Sequence, residues 1–317
     1  MTHTVLLWCE EPRPYVEAAE RAGLAREVDF VLVPPREDPS DDVLARTDAI
    51  LGWRAPAGLA RRAPRLRFIQ SLTAGVEQWL ASPDLPAGVS LCCARGTHRI
   101  QMPENILAAI FAVRKQIPAI VRDQVERRWR RRINPPLAGT TLGILGVGAI
   151  GAEVARKADA LEMRVMGTKR DPKPVPHVAE ILGPDGTDAV LAASDFVLLL
   201  LPSTPATRGS IDAKALARMK PGAWLLNFAR GDLVVDADVV DAVARGTIAG
   251  AVLDVYRTEP LPAEHPFWTT ENILVLPHVG GLHPARDVLV AELFVDNLRR
   301  FVRGEPLREV VDPARGY

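Results

Sequence analysis

The chain has 317 residues, enough for two domains that fold on buried apolar surface without disulfides or metals. Lys plus Arg and Asp plus Glu each number 39, so no global field draws the protein to nucleic acid or an anionic membrane, and a small metabolite is the expected partner. Cys9, Cys92 and Cys93 lack C-x-x-C or metal-ligand spacing, which suits buried, reduced thiols in a cytoplasm and argues against a disulfide framework.

The N-terminus has no basic segment followed by a long apolar run, so no secretory signal is expected. The most apolar stretch, 196–201, is too short to span a bilayer and is ended by Pro202. Along the chain, β-rich runs at 4–8, 30–33, 49–52, 67–71 and 89–92 alternate with helical stretches, the mark of an α/β fold. Ile106, Leu107, Ile110, Phe111 and Val113 then follow a helical period, which predicts a helix over 102–116 that leaves the first domain. The run Glu126 to Arg132 interleaves arginines with Trp129, as nucleic-acid surfaces do, but a solvated helix end before Pro135 and Pro136 is the preferred reading.

A second series of strands is predicted at 141–145, 163–167, 196–201, 223–228, 251–253 and 273–276. FVLLLL, apolar on both faces, suits the centre of a parallel sheet. After Gly280, Gly281 and Pro284, a helix over 285–302 is expected to return the chain to the first domain. The expected division is therefore 1–101 with 285–317 for one domain and 102–284 for the other.

Gly146-Val147-Gly148-Ala149-Ile150-Gly151 is a G-x-G-x-x-G pattern between the strand TLGIL and a helix expected over 152–161. Glycines at such a turn let the backbone approach a pyrophosphate at the helix N-terminus, so a dinucleotide is the expected cofactor. An acidic residue about twenty positions on would bind the adenosine ribose of NAD. Thr168, Lys169 and Arg170 stand there instead and suit a 2′-phosphate, which predicts NADP as the preferred cofactor and NAD as the second. Asp171 follows and is placed to fold back onto Arg170.

Reducing a 2-oxo acid requires a clamp for the carboxylate, a proton donor for the carbonyl oxygen and a partner that keeps the donor protonated near neutral pH. Arg, His and a carboxylate supply these roles. The strand AWLLNFARGDLVVD carries Arg230, AVLDVYRTEP carries Asp254 and Glu259, and ILVLPHVGG carries His278. With the glycine loop, LPSTPATRG at 201–209, Ser71 to Val76 and the ending Val311 to Tyr317, these segments resemble the D-isomer-specific 2-hydroxyacid dehydrogenases of the glyoxylate/hydroxypyruvate reductase A type.

The resemblance implies two Rossmann/flavodoxin-like lobes with parallel sheets, the first discontinuous in sequence, and an active site in the cleft. It implies that Arg230 binds the substrate carboxylate, that His278 transfers the proton and that Glu259 supports His278. Backbone N–H groups around Ala74 and Gly75 would hold the carboxylate, and the Thr73 hydroxyl would narrow the pocket. Leu201, Pro202, Ser203, Thr207, Ala229 and Gly280 would line the cofactor, and Asp254 would help hold the nicotinamide. Trp53 is placed either to wall a compact substrate pocket or to anchor the core. His98 and His283 fall near the crossings between domains, where exposure is expected. His265, His278 and His283 do not make H-E-x-x-H, so no metal is expected. A homodimer is expected. Two further readings stay open: an NAD-linked dehydrogenase for lactate or a phosphorylated glycerate, and a dinucleotide-sensing binding protein on the same scaffold.

Overall fold

A computed structural model describes residues 2–314, so Arg315, Gly316 and Tyr317, quoted for the resemblance, lie outside the described residues. The chain divides into two compact units. One runs to Thr97 and resumes at His283; the other is His98–Leu282.

In the first unit β1 (His3–Trp8), β2 (Val28–Val33), β3 (Ala49–Gly52), β4 (Phe68–Ser71) and β5 (Ser90–Cys92) form a parallel sheet in the order β2-β1-β3-β4-β5. Successive side chains of a strand point to opposite faces. Val5 and Leu7 accordingly join one core with Phe68 and Phe294, while Leu6 and Trp8 join another with Ile50, Ile69 and Trp79. The helix Arg286–Arg303 repeats apolar residues at helical spacing, buries Val290, Phe294 and Leu298 against the first of these cores, and stops at Gly304 in the left-handed conformation.

The second unit holds β6 (Thr141–Leu145), β7 (Arg164–Thr168), β8 (Glu180–Leu182), β9 (Phe196–Leu199), β10 (Trp224–Asn227), β11 (Gly250–Leu253) and β12 (Ile273–Val275), all parallel, in the order β12-β11-β10-β9-β6-β7-β8. Leu145, Val197, Leu199, Leu225 and Leu253 pack on one face, and Ile144, Leu198, Leu226 and Val252 on the other. This is the both-faces burial that continuous apolar runs imply. Between β6 and β9 the connections depart in opposite directions along the sheet, which opens a crevice at the carboxyl ends of these strands.

Two expectations need correcting, and one strand was not expected. β9 ends at Leu199: the Leu200 N–H makes a last bond to the Leu145 carbonyl at 2.8 Å, and the Leu200 carbonyl then stands against Gly146. The helix after β6 is Ala149–Asp159, so Ala149, Ile150 and Gly151 form its first turn instead of preceding it. β8 is three residues at the sheet edge, too short for an apolar pattern to register.

The basic run follows the helix Ile117–Val125. Arg130 and Arg132 fold onto Asp123, holding its carboxyl below the usual range mainly through the Arg132 hydrogen bond, and Arg128 pairs with Glu126. The three cysteines are buried and unpaired, and burial pushes the Cys9 and Cys92 thiols up to about 12. Among the described residues, no helix is long and apolar enough to cross a membrane.

Candidate active site

The sequence-predicted residues of the second unit share one physical origin: each stands at or just beyond the carboxyl end of a parallel strand. After β6, Gly146 has φ +102°, and a Cβ there would lie 2.8 Å from the Leu200 carbonyl. A Cβ at Gly148 would meet nothing within 4 Å, so that side of the loop is open. The helix Ala149–Asp159 has Gly148 at its cap and no side chain bonded to its first N–H groups. An open glycine, an uncapped helix start and the positive end of the helix dipole together fit the phosphates of a dinucleotide.

At the end of β7 the residues divide. Thr168 is 4 % exposed, and its carbonyl accepts the N–H groups of Gly146 (3.2 Å) and Val147 (2.9 Å); it shapes the glycine loop from beneath. Lys169 is half-buried and Arg170 exposed. Asp171 pairs at 2.8 Å with Lys173, a cation three residues beyond Arg170. After β9, the Thr207 hydroxyl donates to the Pro202 carbonyl at 2.7 Å, and Ser203 donates to Asp232 at 2.6 Å. These bonds hold the loop Leu201 to Thr207, partly on its own carbonyl and partly on Asp232.

Arg230 lies just beyond β10. Asn227, buried at the end of that strand, donates to the Arg230 carbonyl at 2.8 Å and accepts the Ala229 N–H at 3.1 Å, so the turn carrying the guanidinium is fixed at both of its peptides. A Cβ at Gly231 would lie 2.0 Å from the Tyr256 carbonyl carbon, so only glycine lets this turn approach the chain leaving β11. Asn227 and Gly231 were missed as supports, although both stand in the segment that carries Arg230.

Glu259 bridges two groups. Oε1 accepts the Tyr256 N–H at 2.9 Å, and Oε2 lies 2.7 Å from His278 Nδ1. With a carboxylate facing Nδ1, that nitrogen carries its proton, and Nε2 is left as the atom that exchanges a proton elsewhere. The ring is exposed, so the pair serves orientation more than stability. His278 itself has φ +54°, a left-handed conformation costing about 1–2 kcal/mol for a residue with a Cβ. The surroundings hold it there. Asp254, 1 % exposed, accepts the Val279 and Gly280 N–H groups, each at 2.8 Å, and its carboxyl is raised chiefly by burial. The carboxylate thus anchors the peptides after His278, a task the resemblance did not suggest. His98 and His283, expected to be exposed, are both half-buried.

In the first unit, the Thr73 hydroxyl donates to the Gly75 carbonyl at 2.5 Å, while the Thr73 N–H reaches the Ser71 hydroxyl at 3.2 Å. Thr73, Ala74 and Gly75 therefore form a compact turn after β4. Trp53, after β3, is 39 % exposed, with the Arg286 guanidinium 4.6 Å from its ring centre; it is not a core anchor. Arg286 also donates to the Leu72 carbonyl at 3.3 Å, next to the same turn.

The sequence model of the family described as D-isomer specific 2-hydroxyacid dehydrogenase, NAD binding domain, matches residues 107–280. The chain belongs to this family. Among these dehydrogenases, the glyoxylate/hydroxypyruvate reductase A of Serratia proteamaculans (strain 568) is 33 % identical over 314 residues, covering 96 % of this chain and 98 % of the relative. A D-isomer specific 2-hydroxyacid dehydrogenase from Xanthobacter autotrophicus Py2, solved in complex with NADPH and MES, superposes with a TM-score of 0.90 at 30 % identity, covering 100 % of both chains. An NADPH-dependent glyoxylate/hydroxypyruvate reductase from Sinorhizobium meliloti, solved with NADP and sulfate, gives 0.86 at 31 % identity, again over 100 % of each chain.

Proposed function

We propose that this dehydrogenase reduces a small 2-oxo acid, glyoxylate or hydroxypyruvate foremost, to the 2-hydroxy acid with NADPH. The observation that carries the reading is the Glu259–His278 pair at 2.7 Å, in the same unit as an open glycine loop and a fixed arginine turn. Bound dinucleotide supplies the hydride. The chain's own groups do the rest: Gly146, Gly148, Ala149, Ile150 and Gly151 are assigned to the pyrophosphate, Lys169 and Arg170 to a 2′-phosphate, and Leu201, Pro202, Ser203, Thr207, Ala229 and Gly280 to the remaining cofactor contacts.

Arg230 is assigned to the substrate carboxylate, whose two oxygens match a guanidinium fork. The Ala74 and Gly75 N–H groups, beside Thr73, are assigned to the same carboxylate. His278 donates the Nε2 proton to the carbonyl oxygen as the carbon is reduced, and Glu259 stabilises the cationic ring before transfer. In the reverse direction the same nitrogen accepts the proton. Asp254 is assigned to the nicotinamide end of the site through the loop it anchors.

The finer assignments are a homodimer and a cytoplasmic location. Val125, Trp129 and Ile133, respectively 80 %, 91 % and 94 % exposed on one segment, support a second copy covering that face. Three buried free thiols support a reducing compartment. The function is tested by steady-state assays of glyoxylate, hydroxypyruvate, pyruvate and branched 2-oxo acids with NADPH and NADH. The expected result is the highest kcat/KM for the two compact acids with NADPH; tight dinucleotide binding with no turnover of any acid would replace the reading by a sensor.

A further inference from the structure

The two residues after His278 are gripped from both sides. Their N–H groups go to Asp254, and their carbonyls, Val279 and Gly280, accept from the single amide nitrogen of Asn105 at 3.1 and 3.0 Å. A side-chain amide has two N–H donors, so each carbonyl has one of its own. The amide's orientation is set in turn. Gln101, one turn earlier on the helix Gln101–Arg114, donates from Nε2 to Asn105 Oδ1 at 3.2 Å, which fixes Nδ2 as the end facing the carbonyls. The reversed amide would set Oδ1 against two carbonyl oxygens.

We propose that Asn105 is a positioning residue for the His278 imidazole, acting through the Val279–Gly280 peptides; this rests on the reading of His278 as the proton-transfer group. The left-handed backbone at His278 cannot relax without breaking bonds to Asp254 or Asn105, so the direction in which Cβ leaves the chain is set by this clamp. Glu259 then fixes only the ring's rotation through Nδ1. The clamp also explains the residue type. Aspartate would face two carbonyl oxygens with like charge, leucine has no donor, and glutamine is one methylene too long for the same reach. Position in the chain gives it a second consequence. Asn105 stands in the first turns after the chain enters the second unit at His98, and Val279 and Gly280 stand just before it leaves at Leu282, so one side chain ties entry to exit. His98 adds a contact there, its Nδ1 3.3 Å from where a Gly281 Cβ would stand.

The test uses the full chain with Asn105→Leu, Asn105→Asp and Gln101→Leu. It measures NADPH binding by fluorescence, glyoxylate reduction at saturating NADPH, and the imidazole NMR titration of His278, assigned by its loss in His278→Gln. A misplaced catalytic group costs up to about a hundredfold, so kcat should fall on the order of tenfold to a hundredfold in the Asn105 variants and less in Gln101→Leu. Because Gly280 is also assigned to the cofactor, NADPH affinity should fall by less than kcat, and the His278 titration should shift. A folded Asn105 variant with parental kcat and an unmoved titration overturns the proposal, as does a loss confined to NADPH affinity or glyoxylate KM. If Asn105→Leu does not fold, Asn105→Asp and Gln101→Leu decide by the same readings. If the parent reduces no 2-oxo acid, the functional reading fails, and the His278 titration alone decides for or against Asn105.

Discussion

The Asp254 carboxylate accepts the Gly280 N–H at 2.8 Å, and a Cβ at position 280 would stand 2.6 Å from that same oxygen. Asp254 therefore needs both its carboxyl oxygens and a bare neighbour. In Asp254→Asn the amide can accept one N–H while its own NH₂ faces the other, and leaving a buried donor unmatched costs about 1–3 kcal/mol. The effect should depend on pH. Burial, outweighing the two backbone bonds, raises the Asp254 carboxyl above its ordinary 3.8. A raised acid contributes stability that is fully present below 3.8 and is lost as pH rises through the folded-state value. Parent stability relative to Asp254→Asn should thus decline across that acid window, as read by urea unfolding at stepped pH. A difference that grows with pH there would contradict the assignment.

His278 and Glu259 make separable predictions. Removing the acid–base group should lower kcat by about 10²–10⁴ in His278→Ala, with NADPH binding retained. Glu259→Gln keeps a hydrogen bond to Nδ1 but loses the charge-assisted contact that orients the ring, so its kcat loss should be smaller than that of His278→Ala. Single-turnover kinetics, in which chemistry limits the rate, distinguish the two. Parental rates in His278→Ala would remove it from the mechanism.

Much of this was legible in the sequence because the parallel strands are continuous apolar runs, and the chemistry follows their carboxyl ends in fixed order. TLGIL, FVLL and WLLN are strands for the same reason that Gly146, Leu201 and Arg230 are site candidates. What stayed hidden depends on distance or backbone shape. Asn105 and Val279 are 174 residues apart, and no local pattern joins them. Thr168 reads as a hydroxyl beside two cations, yet its carbonyl is the group in use, bonded to Gly146 and Val147. Gly231 looks like an ordinary turn glycine until the Tyr256 backbone stands against it.

Trp53 carries a prediction about substrate size. The residue is 39 % exposed and its ring lies 4.6 Å from the Arg286 guanidinium, so truncation should leave the fold intact. If the indole walls a compact pocket, Trp53→Ala should raise kcat/KM for 2-oxobutyrate relative to glyoxylate by about tenfold, since one methylene in an apolar pocket is worth roughly 10–200-fold in discrimination. Unchanged relative rates in a folded variant would take the tryptophan out of the pocket.

Lys169 and Arg170 should set the preference for NADPH over NADH. They follow β7, where a carboxylate would accept from both ribose hydroxyls and repel a 2′-phosphate. Thr168 is buried and its carbonyl is engaged by the glycine loop, which leaves Lys169 and Arg170 as the expected phosphate donors. An exposed ion pair alone contributes about 0–1 kcal/mol, but charge-assisted bonds to a phosphate contribute more. With about 1.4 kcal/mol per tenfold, the preference should be on the order of tenfold to a hundredfold. Lys169→Ala/Arg170→Ala should remove most of it, chiefly through KM for NADPH, and should flatten its salt dependence, because these contacts are screened. The comparison is kcat/KM for both cofactors in parent and double variant at two fixed ionic strengths. Equal efficiency with the two cofactors in the parent would refute the preference, whereas a preference untouched by the double substitution would move its origin to other residues of the loop, Lys173 first.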